Sequence, residues 1–323
     1  MLEKIKQWWT LDQVAEENSA DNPLSALSDH QRRNTGPLLA LAFGWGFLVT
    51  GLFTGTQLGN GIPFWPDIIY TTFLGNLANF IIGAFVGYIG YKTACNSGLL
   101  YRYVYGNIGA YIPVLFIAIL TIGWQGIVVG AFGITWTLAL NPGIAAADIF
   151  SSSTFLITAI FAGILYTITT YFGVKGLERI SIPSVAILVF VGLYAIYLNI
   201  MQAGGLSGFQ SLSVALVSES KMTTIEAINI VIGSWIVGAV VMPEYTRFAK
   251  KTWVAIAIPF IVLIIAQWFL QILGALGGVV SNDSLFSAFL GVDLNILMKE
   301  GVIIGWIGII GMSLALWTTG DAN

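Results

Sequence analysis

Eight long apolar runs fill most of this chain, and the basic residues between them fall almost entirely into alternate gaps. The runs cover 38–62, 68–89, 108–138, 155–173, 182–202, 225–241, 253–280 and 302–319. Most exceed the ~18 to 20 residues that a helix needs to cross about 30 Å of hydrocarbon. Lys4, Lys6, Arg32 and Arg33 precede the first run, Lys92 and Arg102 follow the second, Lys175 and Arg179 the fourth, and Arg247, Lys250 and Lys251 the sixth. The other set of gaps holds only Lys221 and Lys299. Short loops rich in Lys and Arg stay on the cytoplasmic side, so this partition predicts a cytoplasmic N-terminus and an eighth span running from outside to inside.

A chain that is 57% hydrophobic and 9% charged, with mean hydropathy +0.85, has lipid as its main solvent. Its fold class is all-α, a polytopic membrane helix bundle. A net charge of -3 with no basic patch excludes a nucleic-acid role. Cys95 has no second thiol to pair with, so no redox or metal framework follows. Residues 1–36 are polar and of mixed charge, without the basic-then-apolar order of a signal peptide, and read as a cytoplasmic tail before a membrane domain over 37–323. The last run ends Trp317-Thr318-Thr319-Gly320-Asp321-Ala322-Asn323 with no basic flank, which predicts a chain cut inside or just after its eighth span.

Enzyme chemistry has little to stand on. Apart from Asp321, the carboxylates fall at span ends, in loops or in the tail, and His30 sits beside Arg32 and Arg33 in the tail. There is no metal-spaced His/Cys set and no phosphate-binding glycine loop. The spans instead carry small residues at particular depths. The first reads Gly44-Trp45-Gly46-Phe47-Leu48-Val49-Thr50-Gly51. Glycine costs a helix up to about 1 kcal/mol relative to Ala, so a local break is expected there. Unwound backbone survives in a bilayer only where protein buries it or a cavity adjoins it. Gly83 and Gly87 read as sites of close helix approach. The notch Gly233-Ser234-Trp235 in the sixth run predicts a second break, and interrupted first and sixth spans are what an inverted repeat of five helices produces. Trp65, Trp136 and Trp253 at span ends read as an interfacial aromatic belt.

Five segments in order, Leu52 to Gly61, Gly87 to Thr93, Gly233 to Trp235, Glu244 to Phe248 and Trp317 to Asp321, resemble the nucleobase-cation symporter family. The resemblance runs from Thr35 to Asn323. It implies a LeuT-like fold of twelve helices, two inverted five-helix repeats plus two, of which this chain supplies eight with the first and sixth broken. It further implies a bacterial cytoplasmic (inner) membrane and import of a nucleobase or related small planar heterocycle by cation symport with alternating access. No cofactor is expected.

On that resemblance Trp124 and Trp235 match aromatic positions that hold a flat ring from either face, where stacking contributes about 1–3 kcal/mol per base. Thr121, Gln125, Ser234, Gly320 and Asp321 complete the expected substrate set. Members that carry cytosine have Gln where Thr121 stands and Asn where Gly320 stands, so the edge hydrogen bonds that choose among bases differ here. Gln125 is turned about 100° from Trp124 around a helix. For coupling, the resemblance implies a Na⁺ site of Phe47, Leu48, Ala315, Thr318 and Thr319, with Phe47 and Leu48 contributing backbone carbonyls and the threonines their hydroxyls. The plainer reading has both threonines bonding to their own helix one turn earlier. The alternative coupling ion is H⁺ with Asp321 as the titrating group, for hydantoin, allantoin or a thiamine-precursor pyrimidine. From other classes, a channel would need a continuous polar lining, which scattered Asn76, Asn79, Gln267 and Gln271 do not make, and a non-transporting anchor or receptor stays open.

Overall fold

The computed structural model describes residues 24–48, 50–141, 144–170, 174–217, 222–281 and 302–322. Side chains from 171 to 185 and from 321 onward lie outside that description, as do the tail up to 23 and the segment 282–301. The described residues form helices connected by turns. In chain order the main ones are α1 (Thr35–Gly46), α2 (Thr50–Gly59), α3 (Ile69–Thr93), α4 (Ser97–Gly109), α5 (Tyr111–Leu140), α6 (Ser153–Thr170) and α7 (Val174–Gln202). There follow α8 (Gly205–Val217), α9 (Thr224–Val240), α10 (Pro243–Thr246), α11 (Thr252–Pro259), α12 (Trp268–Ser281) and α13 (Val302–Ala322). Five described stretches are long and apolar enough to cross a membrane, and the bent pair α1 and α2 makes a further span. The fold is a membrane helix bundle.

The first span breaks where its glycines crowd. Phe47 leaves the helix at φ −82°, ψ 44°, and α1 and α2 meet at 42°. The sixth span behaves differently from expectation. Gly233-Ser234-Trp235 is helical throughout, with the Ser234 hydroxyl donating to the Val231 carbonyl at 2.8 Å. A single glycine flanked by Ile, Val and Trp does not outweigh an unbroken ladder of backbone bonds. The interruption comes at Val241 and Met242, just before Pro243, which has no N–H to continue the ladder and opens α10. Upstream, Thr223 and Glu226 start α9 with a reciprocal capping box.

Small residues bring backbones together. Ideal Cβ atoms on Gly55 and Gly274 would overlap the carbonyl oxygens of Gln271 and Leu52, so α2 and α12 touch main chain to main chain. Gly83 and Gly87 lie under Met242 and Thr246, as close helix approach requires. The seventh span is α11, a π-helical stretch Phe260–Gln267, and α12. Pro259, which cannot bond back one turn, stands at the start of the widened stretch. Asn76, Asn79, Gln267 and Gln271 are all fully buried and serve as bridges between helices. Asn76 donates to Gln271 at 2.6 Å, and Asn79 to the Ile232 carbonyl at 3.2 Å.

Two helices, α4 and α8, lie where the sequence predicts loops. In α4, Asn96 caps by accepting from the Leu99 N–H at 2.8 Å, and the Ser97 N–H donates to Glu244 at 2.9 Å. Tyr101, on the same helix, has its phenol pushed up by burial and then by the charge of Glu244. α8 turns 81° from the end of α7 and covers α12 with Phe209 and Leu212. Its serines and glycines mask an apolar face. The basic residues of three separate segments do meet at one end of the bundle. Arg32 donates to the carbonyls of Ala249 and Tyr91 at 2.7 and 3.1 Å, Lys250 to Asn34 at 3.0 Å, and Lys92 lies over Tyr88 and Tyr91.

Candidate ligand-binding site

Against the break in the first span lies a cavity of about 60 Å³. The break supplies Trp45, Leu48 and Thr50, α5 supplies Thr121 and Trp124, and α9 with the turn after it supplies Ser234, Trp235, Val237, Gly238 and Val241. Thr121, Trp124, Ser234 and Trp235, named from sequence, therefore share one wall-to-wall space. Trp45, Thr50, Val237, Gly238 and Val241 were not among the expected residues. The glycines flanking Trp45 marked the break but not which of its faces would be open.

The lining carries no charge. Thr121 donates to its own helix at the Ile117 carbonyl, 3.0 Å away, and Ser234 at Val231, so each turns oxygen lone pairs outward as acceptors. The Thr50 hydroxyl and the Trp235 indole N–H are buried and have no protein partner among the described residues. That sets Trp235 apart from its neighbours. Trp136, Trp268 and Trp317 donate their indole N–H groups to Ser313, Thr72 and Thr169 at 3.0, 3.0 and 2.9 Å. Trp136, expected in the interfacial belt, is thus an internal tie between α5 and α13, whereas Trp65 and Trp253 are 63% and 53% exposed. A buried donor without a partner costs about 1–3 kcal/mol.

Aromatic contacts fix the Trp235 ring. Trp45 meets it edge-on at 5.4 Å and stacks on Tyr245 at 3.9 Å. Beneath the ring, one turn on, Gly238 leaves the room it fills, since a Cβ there would overlap its six-membered ring. Gly238→Ala should push the indole into the cavity and lower ligand affinity at least tenfold with little change in folded yield; binding titrations on purified protein read this directly.

The remaining expected residues lie elsewhere. Gln125 does not line the cavity, and its buried side-chain oxygen has no partner among the described residues. Gly320 packs on the Tyr166 ring of α6, away from the cavity, because α13 needs the space of a Cβ to approach α6. The side chain of Asp321 lies outside the described residues. Of the expected ion ligands, Phe47 and Ala315 share one buried cluster, while Leu48 packs in another beside Trp45 and Trp235. Thr318 and Thr319 donate to the Leu314 and Ala315 carbonyls at 3.0 and 2.8 Å, one turn back. Their lone pairs still suit a hard cation. The Leu48 carbonyl does not fit that set, because it already accepts twice, from the Gly51 N–H at 3.1 Å and from Gln267 at 3.3 Å.

A broken membrane-spanning helix with a neutral aromatic cavity at the break is the construction of a carrier, not of an enzyme. The family described as "Permease for cytosine/purines, uracil, thiamine, allantoin" matches residues 31–299, and the chain belongs to it. The cytosine permeases of Escherichia coli strain K12 and of Escherichia coli O157:H7 are each 28% identical over 306 residues, covering 94% of this chain and 67% of theirs. Mhp1, a nucleobase-cation-symport-1 family transporter closed on bromovinylhydantoin, superposes with TM-score 0.73 at 19% identity over 94% of this chain and 67% of its own. The inward-facing form of Mhp1 gives 0.75 at 19% identity over 93% and 65%. The chain thus has the Mhp1 fold and spans about two thirds of the length of these relatives.

Proposed function

We propose that the chain forms the larger part of a secondary active transporter that imports a nucleobase or similar small planar heterocycle with a cation by alternating access. It would sit in the bacterial inner membrane with its N-terminus in the cytoplasm. The observation that carries the reading is the neutral cavity in which Trp124 and Trp235 meet Thr121 and Ser234 beside the broken span, with the Trp235 N–H buried and unpaired. Its size bounds the ligand. One water takes about 10–15 Å³ on this scale, so about 60 Å³ suits something of the size of a small ring. Its chemistry favours an uncharged ring that both accepts, from Trp235, and donates, to the hydroxyls of Thr121 and Ser234.

For the coupling ion, the reading assigns the carbonyls of Phe47 and Ala315 and the hydroxyls of Thr318 and Thr319 as the oxygen ligands of a Na⁺, supported by the shared cluster of Phe47 and Ala315. Uptake decides the matter. The complete protein is expressed in cells lacking their own base permeases, and initial uptake of labelled cytosine, uracil, hypoxanthine, hydantoin and allantoin is followed with and without Na⁺. Saturable, Na⁺-dependent accumulation of one of them is expected. Accumulation driven by low external pH and indifferent to Na⁺ would transfer coupling to a proton, and no accumulation by a well-inserted protein would end the transport reading.

A further inference from the structure

The geometry points to Gln267 as the positioning residue of the site: we propose that it latches the break of the first span to the seventh and so holds the wall of the ligand cavity in place. The inference rests on the proposed transport reading for its consequence on binding, but not for the latch itself.

A break leaves backbone carbonyls that the helix no longer satisfies, and in a bilayer each needs a partner. The Leu48 carbonyl accepts from the Gly51 N–H at 3.1 Å, and Gln267 provides the partner for Gly46, and a second bond to Leu48, from another span. Its side-chain NH₂ donates to the Gly46 carbonyl at 2.7 Å and the Leu48 carbonyl at 3.3 Å, one on each side of the turn at Phe47. The residue is fully buried at the end of the π-helical stretch. The glycines around the break are what admit it. A Cβ on Gly51 would lie 2.6 Å from the Gln267 side-chain oxygen, and one on Gly46 would lie 2.7 Å from the Ala266 Cβ. The opposite side of the same turn presents Trp45, Leu48 and Thr50 to the cavity. One amide thus fixes the angle between α1, which carries Trp45, and α2, which is seamed to α12.

The test reads the angle and the ligand separately. In the complete protein with Cys95→Ala, spin labels at Gly36→Cys and Gln57→Cys, both exposed, report the distance between the ends of α1 and α2. Gln267→Leu should broaden that distance distribution and weaken heterocycle binding at least tenfold. Gln267→Glu supplies a control within one folded protein. Its protonated carboxyl can still donate, whereas the carboxylate repels both carbonyls, so the distribution and affinity should be close to wild type at low pH and degrade as pH rises. The first and seventh spans contain no ionisable Asp, Glu, Lys, Arg or His to confuse this, and the second carries Asp67 and Lys92 only at its ends. Unchanged distances in Gln267→Leu, or a pH-independent Gln267→Glu, would overturn the latch. Broadened distances in a protein that binds no heterocycle would instead sink the transport reading and leave the latch standing.

Discussion

Trp235→Ala in the complete protein should raise the dissociation constant for the transported heterocycle by about 10- to 1,000-fold while the protein still reaches the membrane. Two contributions are lost together. Stacking of a ring on an indole contributes about 1–3 kcal/mol, and each 1.4 kcal/mol is tenfold in affinity. The N–H that has no protein partner is lost as well, with about 0.5–1.5 kcal/mol for the bond it would make to the ligand. Trp235→Phe keeps a ring face without the donor and should cost only the second part, a few-fold to about tenfold. Trp317→Phe is the matched control, because its N–H is already spent on Thr169. It should change stability and leave affinity alone. Isothermal titration of the purified variants gives all three constants, and wild-type affinity in Trp235→Ala would remove Trp235 from the site. Trp124→Ala tests the partner wall in the same way.

How far the sequence announces this site depends on the kind of signal. The membrane helix bundle and the gathering of basic residues at one end are legible because they rest on composition alone, and lipid imposes both. The first break is legible because three glycines in one stretch weaken a helix wherever it is placed. The sixth is misplaced because a Gly-Ser-Trp notch is tolerated inside a helix, while the Pro243 that ends it looks like an ordinary loop residue after a span. α8 is hidden because its apolar residues, Leu206, Phe209, Leu212 and Leu216, are diluted by serines to a hydropathy below that of a span. Gln267 could not be found at all. Its partners are carbonyls more than two hundred residues away, and no periodicity encodes a side chain that meets backbone across the bundle. A buried glutamine in an otherwise apolar span facing a glycine-rich break was the available hint.

Gly55→Leu should cost about 3 kcal/mol or more and abolish recovery of monodisperse protein, the largest stability effect expected of a single substitution here. The reason lies in what the added atoms meet. Core overpacking is normally relieved by side-chain rotation, but at Gly55 the obstacle is the Gln271 carbonyl and the backbone around it, with the Ala275 nitrogen 2.9 Å from the ideal Cβ. Backbone of α12 can retreat only as a whole. Doing so would part α2 from α12 along Gly51, Gly55 and Gly59 and draw Gln267 away from the break, so the damage reaches the cavity wall. Gly55→Ala should fail in the same direction with a smaller deficit. Gly130→Ala in α5 is the counter-case: nothing lies within 4 Å of its ideal Cβ, and the better helix former should add up to about 1 kcal/mol. Size-exclusion profiles after graded heating separate the two, and a Gly55→Leu protein as heat-resistant as wild type would mean that α2 and α12 do not touch along their main chains.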